Sequence, residues 1–139
     1  MKTILIITSV IFFGASVSNG QNCIGLNQSK ILKKFGTPDS LGTNYIVYVD
    51  QQEEGTNTYY FDANNNCNAF VIKRASNYYA NYQKLLDKNF TRTVENTFVC
   101  KSKKLNYKAE LAQFSKEFQI SITYNNNANY VQNILISND

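Results

Sequence analysis

"LNYKAELAQF" (residues 105–114) and "FQISITYN" (residues 118–125) decide the fold. In the first, Leu105, Tyr107, Ala109 and Leu111 alternate with Asn106, Lys108 and Glu110. In the second, Phe118, Ile120, Ile122 and Tyr124 alternate with Gln119, Ser121 and Thr123. Successive strand side chains point to opposite faces, so this pattern predicts an antiparallel sheet with one buried face and one wet face.

Upstream, "NTFVCKSK" (residues 96–103) reads as another strand, with Cys100 on the face of Phe98. Before it, "SNYYANYQKLLDKNF" (residues 76–90) carries Tyr78, Tyr79, Tyr82, Leu85 and Leu86 at the three-to-four spacing of a core-facing helix, with Ser76 as its cap. The first half has the same ingredients. "NQSKILKKFGTPDS" predicts a short helix capped by Asn27, apolar at Ile31, Leu32 and Phe35, and stopped by Gly36 and Pro38. "NYIVYVDQQ" (Asn44–Gln52) is a strand, "QQEEGTN" a turn, and "TYYFD" with "NAFVIKR" a hairpin around "ANNNC". "YVQNILIS" (residues 130–137) is read as one more strand.

The expectation is an α+β domain in the order α-β-β-β-α-β-β-β, with that further strand at the end. It comprises two helix-plus-antiparallel-strand units on a common antiparallel sheet. "YYFDANNNCNAFVI" and "SITYNNNANYVQNILI" are read as a weak internal repeat, each a strand, an Asn-rich turn and an aliphatic strand.

Residues 1–20 are expected to be a cleaved signal peptide. Lys2 precedes the apolar run Ile4–Phe13, and Ser18 and Gly20 stand at −3 and −1 before Gln21. The run is too short to span a bilayer, and "GQNC" lacks a lipoprotein approach to Cys23, so no membrane anchor is expected. Residues 21–139 then form one domain, secreted or periplasmic. Without Lys2 its net charge is +3, thirteen basic residues against ten acidic, which gives no ground for a nucleic-acid partner.

Histidine is absent, which removes Ser-His-Asp and Cys-His catalysis and histidine-bound zinc. No cofactor is implied. Three cysteines in an oxidising compartment allow one disulfide and one free thiol. Cys100 shares a face with Phe98 and is the candidate buried thiol, leaving Cys23 and Cys67 as the candidate pair.

Asp62, Asn64 and Asn66 mimic the start of a calcium loop, but the sixth and twelfth positions from Asp62 hold Cys67 and Lys73 where such a loop needs Gly and Glu. A turn is the better reading. Asp50, Glu53 and Glu54 are expected in a solvated turn, roughly 16 Å along the chain from Asp62 at about 3.3 Å per strand residue. That is too far for a glycosidase carboxyl pair. The remaining candidates are an interaction surface built on Tyr48, Tyr59 and Tyr78, and a basic group of Lys101, Lys103, Lys104 and Lys108.

"KILKKFGTPDS" followed by strands and a turn resembles the helix–Gly-x-Pro–strand entry of SmpA/OmlA-type envelope assembly proteins. The tandem layout resembles the β-lactamase-inhibitor-protein fold, and the chain with its "YYFDANNNC" hairpin resembles small exported Bacteroidota proteins. The resemblance covers Asn27 to Phe70 and departs at the missing lipid anchor. It implies binding of another exported or envelope protein, with no catalytic residues to carry over. The expected function is an exported binding module. The alternatives are an accessory of envelope assembly, and a carboxylate- and tyrosine-based hydrolase of cell-wall sugar.

Overall fold

Asn27 takes the role its position predicts. Its backbone is extended, and its side chain accepts the Lys30 N–H at 3.0 Å to open α1 (Gln28–Phe35). Helix α1 ends at Gly36, whose N–H returns to the Leu32 carbonyl at 2.8 Å. With φ 84° and ψ −155°, Gly36 lies outside the left-handed helical stop expected for it, in a region essentially confined to glycine. Ile31 is buried, while Leu32 and Phe35 pack at the margin of the core.

The computed structural model describes residues 23–94, 96–101 and 107–124. After α1 come β1 (Ser40–Leu41), β2 (Tyr45–Asp50), β3 (Gly55–Phe61) and β4 (Cys67–Ala75). A single 3₁₀ turn (Ser76–Tyr78) leads into α2 (Tyr79–Asn89), followed by β5 (Phe90–Val94), β6 (Thr97–Cys100), β7 (Tyr107–Gln113) and β8 (Glu117–Tyr124). All eight strands form one antiparallel sheet in the order β1-β2-β3-β4-β8-β7-β6-β5.

The α+β class and the antiparallel sheet are as the sequence predicts. Among the described residues each helix is followed by four strands rather than three. The additions are β1, only two residues long, and β5, of which the sequence reading placed Phe90 at the end of the second helix and assigned the rest to no element. The second copy of the repeat read in the sequence runs past Tyr124 and lies largely outside the described residues. Strand β8 pairs with β4 on one side and β7 on the other. "YVQNILIS" itself lies outside the described residues.

One face of the sheet packs under the helices. Phe70 and Ile72 of β4, Phe118, Ile120 and Ile122 of β8, and Ala109 and Leu111 of β7 meet Ile31 of α1 and Tyr82 and Leu86 of α2 in a single cluster. The tyrosine stripe of α2 behaves as its spacing predicts: Tyr82 and Leu86 are fully buried, and Tyr78, Tyr79 and Leu85 flank them. The other face was expected to be wet throughout. It is not: Gln119, Ser121 and Thr123 are fully buried, and Lys108 nearly so. They lie on β7 and β8, each with a strand on both sides.

Candidate functional site

Strand alternation places Tyr45 and Val47 of β2, Thr56, Thr58 and Tyr60 of β3, and Val71 and Lys73 of β4 on the face away from the helices. The ladder Tyr45↔Tyr60, Val47↔Thr58 and Thr58↔Val71 aligns them side by side. Gln119 joins them through its pairing with Lys73. These residues line a cavity of ≈ 380 Å³, within the size range of small-ligand pockets. Two tyrosine rings stand together at one end, with centroids 6.4 Å apart and planes at 49°. At the other end Lys73 meets Glu117 at 3.8 Å, a loose and part-exposed ion pair.

The polar atoms on this face are unusual. Oε1 and Nε2 of Gln119, Oγ of Ser121 and Oγ1 of Thr123 are buried with no hydrogen-bond partner among the described residues. All three residues lie on one side of β8, at alternate positions. Buried polar groups are nearly always paired, so this unpaired row on β8 is uncommon and costs stability.

The residues singled out from sequence do not converge there. Tyr59 is buried in the core against Phe70, with centroids 4.8 Å apart, and cannot serve as an exposed contact. It sits on the odd-numbered face of β3, under α1, because the alternation of that strand puts Tyr60 outward. Tyr48 is half-buried and donates to the Gly36 carbonyl at 2.8 Å; Tyr78 donates to the Gln52 carbonyl at 2.9 Å. Both hydroxyls tie loops down. Burial raises the pKa of Tyr48, and the charge of Asp39 adds to the rise.

The lysines also scatter. Lys101 is exposed and its Nζ caps the Asp87 carbonyl in the last turn of α2 at 2.7 Å. Lys108 is buried and paired with Glu110. Lys103 and Lys104 lie outside the described residues, so no basic patch can be drawn from the four.

Sequence reasoning missed one cluster altogether. Asp50 and Glu53, expected in a solvated turn, are buried against Arg74, which is fully enclosed. The Arg74 guanidinium donates to Glu53 at 2.8 Å, Asp50 at 3.3 Å, Asn57 at 2.8 Å, and the Thr56 and Lys73 carbonyls at 2.9 and 2.8 Å. That uses all five of its N–H groups. Tyr82 of α2 donates a short hydrogen bond to Glu53. The turn is pulled inward because Asp50 on β2 and Arg74 on β4 point to the helix side from the two strands that flank β3. Glu54 alone stays exposed, as expected. This cluster lies on the opposite face from the cavity and is a structural clasp.

At the β3–β4 tip, Asp62 accepts the N–H groups of Asn64 and Asn66 at 2.9 and 3.0 Å, while Asn65 adopts φ 65°. The stretch is a turn, as read, and its carboxylate is occupied by its own backbone. Among the described residues no three metal-ligating side chains gather.

Cys23 and Cys67 are free thiols, both buried, and Cys23 is near enough to raise the cost of ionising Cys67. Burial pushes the Cys67 thiol up to about 12, with Cys23 adding to the rise. Burial also raises Cys23, partly offset by Lys34. Cys100 is free but only half-buried, not enclosed as expected, because it ends β6 at the margin of the core.

Comparison with protein-family models, curated proteins and solved structures finds no match to the chain. No described helix is long and apolar enough to cross a membrane.

Proposed function

We propose that the chain is a small exported binding module that holds another exported or envelope protein against the outer face of its sheet. The observation that carries this reading is the cavity on the outer face walled by Tyr45 and Tyr60. The two tyrosines offer a partner large contact area at low entropic cost. Cleavage after Gly20 and delivery outside the cytoplasm belong to the same proposal, as does its role as an accessory of envelope assembly. The fold is accordingly read as two units of one helix and four strands, joined through β4 and β8.

A Cys23–Cys67 bridge is part of the proposal. Both thiols are buried, and the Cys67 backbone is held against the N-terminal turn by Gly25 N–H to its carbonyl and its own N–H to Leu26, each at 2.7 Å.

The test is capture from envelope extract by the tagged protein, comparing wild type with Thr58→Arg, which places a charge on the outer face. The reading predicts that one envelope protein is enriched by wild type and lost with Thr58→Arg. Equal capture by both would sink it.

A further inference from the structure

The sheet ends in β1 on one side and β5 on the other, and the two edges are treated differently. Beside the two residues of β1, Asp39 closes more of the β2 edge. Its N–H donates to the Val47 carbonyl at 2.9 Å, and its carboxylate accepts the Val49 N–H at 2.7 Å. Strand β5 has no such cover among the described residues and pairs with β6 alone. The Lys101 N–H donates to the Asn89 carbonyl at 3.0 Å, which sets the phase of that ladder. Thr91 therefore exchanges bonds with Val99, and Arg92, next along, turns its N–H and C=O away from β6. The Phe90 N–H is taken by the Leu86 carbonyl, and the bulge after Arg92 ends the regular edge. The open groups are the Phe90 carbonyl and both main-chain groups of Arg92.

The side chains leave this edge accessible. Thr91, Arg92, Thr93 and Val94 are exposed, and the strand holds neither proline nor lysine, residues that commonly block an edge. The Arg92 guanidinium lies 5.1 Å from the centre of the Phe98 ring, drawn back over its own cross-strand pair rather than across the opening. Charge around the edge is mainly positive. Arg92, Lys88 in the last turn of α2, and Lys101 opposite Asn89 are exposed cations, against the exposed carboxylate of Asp87. None of the three cations has a carboxylate partner among the described residues.

We propose that β5 is a docking edge that takes an extended, acidic segment of a partner protein as a further strand. The main chain of that segment completes the Phe90 carbonyl and the N–H and C=O of Arg92. Its side chains alternate, with carboxylates on the Arg92 face and apolar residues beside Thr91. The positive surround selects an acidic segment over a basic one. This edge lies at the opposite end of the sheet from the β2–β4 cavity, so the inference does not depend on the reading of that cavity.

Titration of the purified protein with a short capped peptide alternating valine and glutamate, followed by amide chemical shifts, tests this against the same peptide with lysine for glutamate. The expected result is saturable binding of the acidic peptide, with the largest shifts at residues 90–94, and at least tenfold weaker binding of the basic one. Added salt should weaken the acidic peptide. Arg92→Pro removes the outward N–H without touching the bonds to β6, so binding should fall at least tenfold while the urea midpoint holds. Arg92→Glu keeps the main chain and reverses the charge, and should move the preference toward the basic peptide.

No saturable binding, equal affinity for the two peptides, or shifts centred on the outer-face cavity instead of β5 would overturn the inference. So would an Arg92→Glu protein with the wild-type preference. Self-association that is lost with Arg92→Pro, without peptide binding, would give the edge to a second copy of the chain and overturn the acidic segment.

Discussion

At the scale of single residues, the sequence shows identity but not direction of burial across strands. Asp50, Glu53 and Glu54 look alike in the chain, and a turn rich in acids is usually wet. What distinguishes them is Arg74, more than twenty positions away, which enters the core beside them only because β3 pairs with both β2 and β4. No local pattern could have supplied that. Replacing Arg74 with Met leaves two acids enclosed without a cation and should cost about 3–5 kcal/mol, measured as a shift of the urea unfolding transition. A loss under about 1 kcal/mol would mean the clasp is solvated after all. The core ionisable groups give a second expectation. The Cys67 thiol moves from 9.0 in the unfolded chain to about 12 in the fold, so the folded state keeps a proton that the unfolded state releases. That contribution is fully present below pH 9 and is lost as pH rises toward 12. Reduced protein should therefore lose stability across that window, and Cys67→Ala should lose less. A flat profile for the reduced wild type would contradict the burial of this thiol.

At the scale of elements, capped and periodic segments were legible and edge segments were not. Asn27, Gly36 and the tyrosine stripe of α2 announce both helices, and the alternation of β7 and β8 announces their core face. Strand β5 hides because it is an edge. Only Phe90 is buried, and Thr91, Arg92, Thr93 and Val94 are exposed, so its sequence carries no alternation. Strand β1 is too short to carry a signal of any kind. The β3–β4 tip was readable as a turn, but its docking was not. The Asn65 carbonyl accepts the Gln28 N–H at 3.1 Å, and Asn66 bridges to Asn27, so the tip anchors the start of α1. That docking is what brings Cys67 to Cys23. A disulfide there would close a loop of about 45 residues and stabilise the fold by roughly 3–4 kcal/mol on chain-entropy grounds. Peptide mapping of non-reduced, secreted protein should recover the Cys23–Cys67 pair with Cys100 free, and a bridge to Cys100 would contradict it.

At the scale of the molecule, the sheet is organised around the β4–β8 pair, which joins the last strand of the first half to the last strand of the second. This pairing puts Lys73 beside Gln119 and Val71 beside Ser121, and so assembles the outer face from both halves of the chain. The candidate site was poorly legible for the same reason. Gln119, Ser121 and Thr123 read as an ordinary wet face of one strand, and the tyrosines of α2 and the core drew attention away from Tyr45 and Tyr60. Only the strand order sets Gln119 beside the cavity walled by Tyr45 and Tyr60. The direct measurement is capture from envelope extract by the tagged protein in three forms: wild type, Thr58→Arg on the outer face, and Lys84→Glu on exposed α2 at the back. The account predicts one enriched partner for wild type and Lys84→Glu, and its loss with Thr58→Arg. Capture that survives Thr58→Arg, or that is lost with Lys84→Glu instead, would contradict a binding role for the outer face.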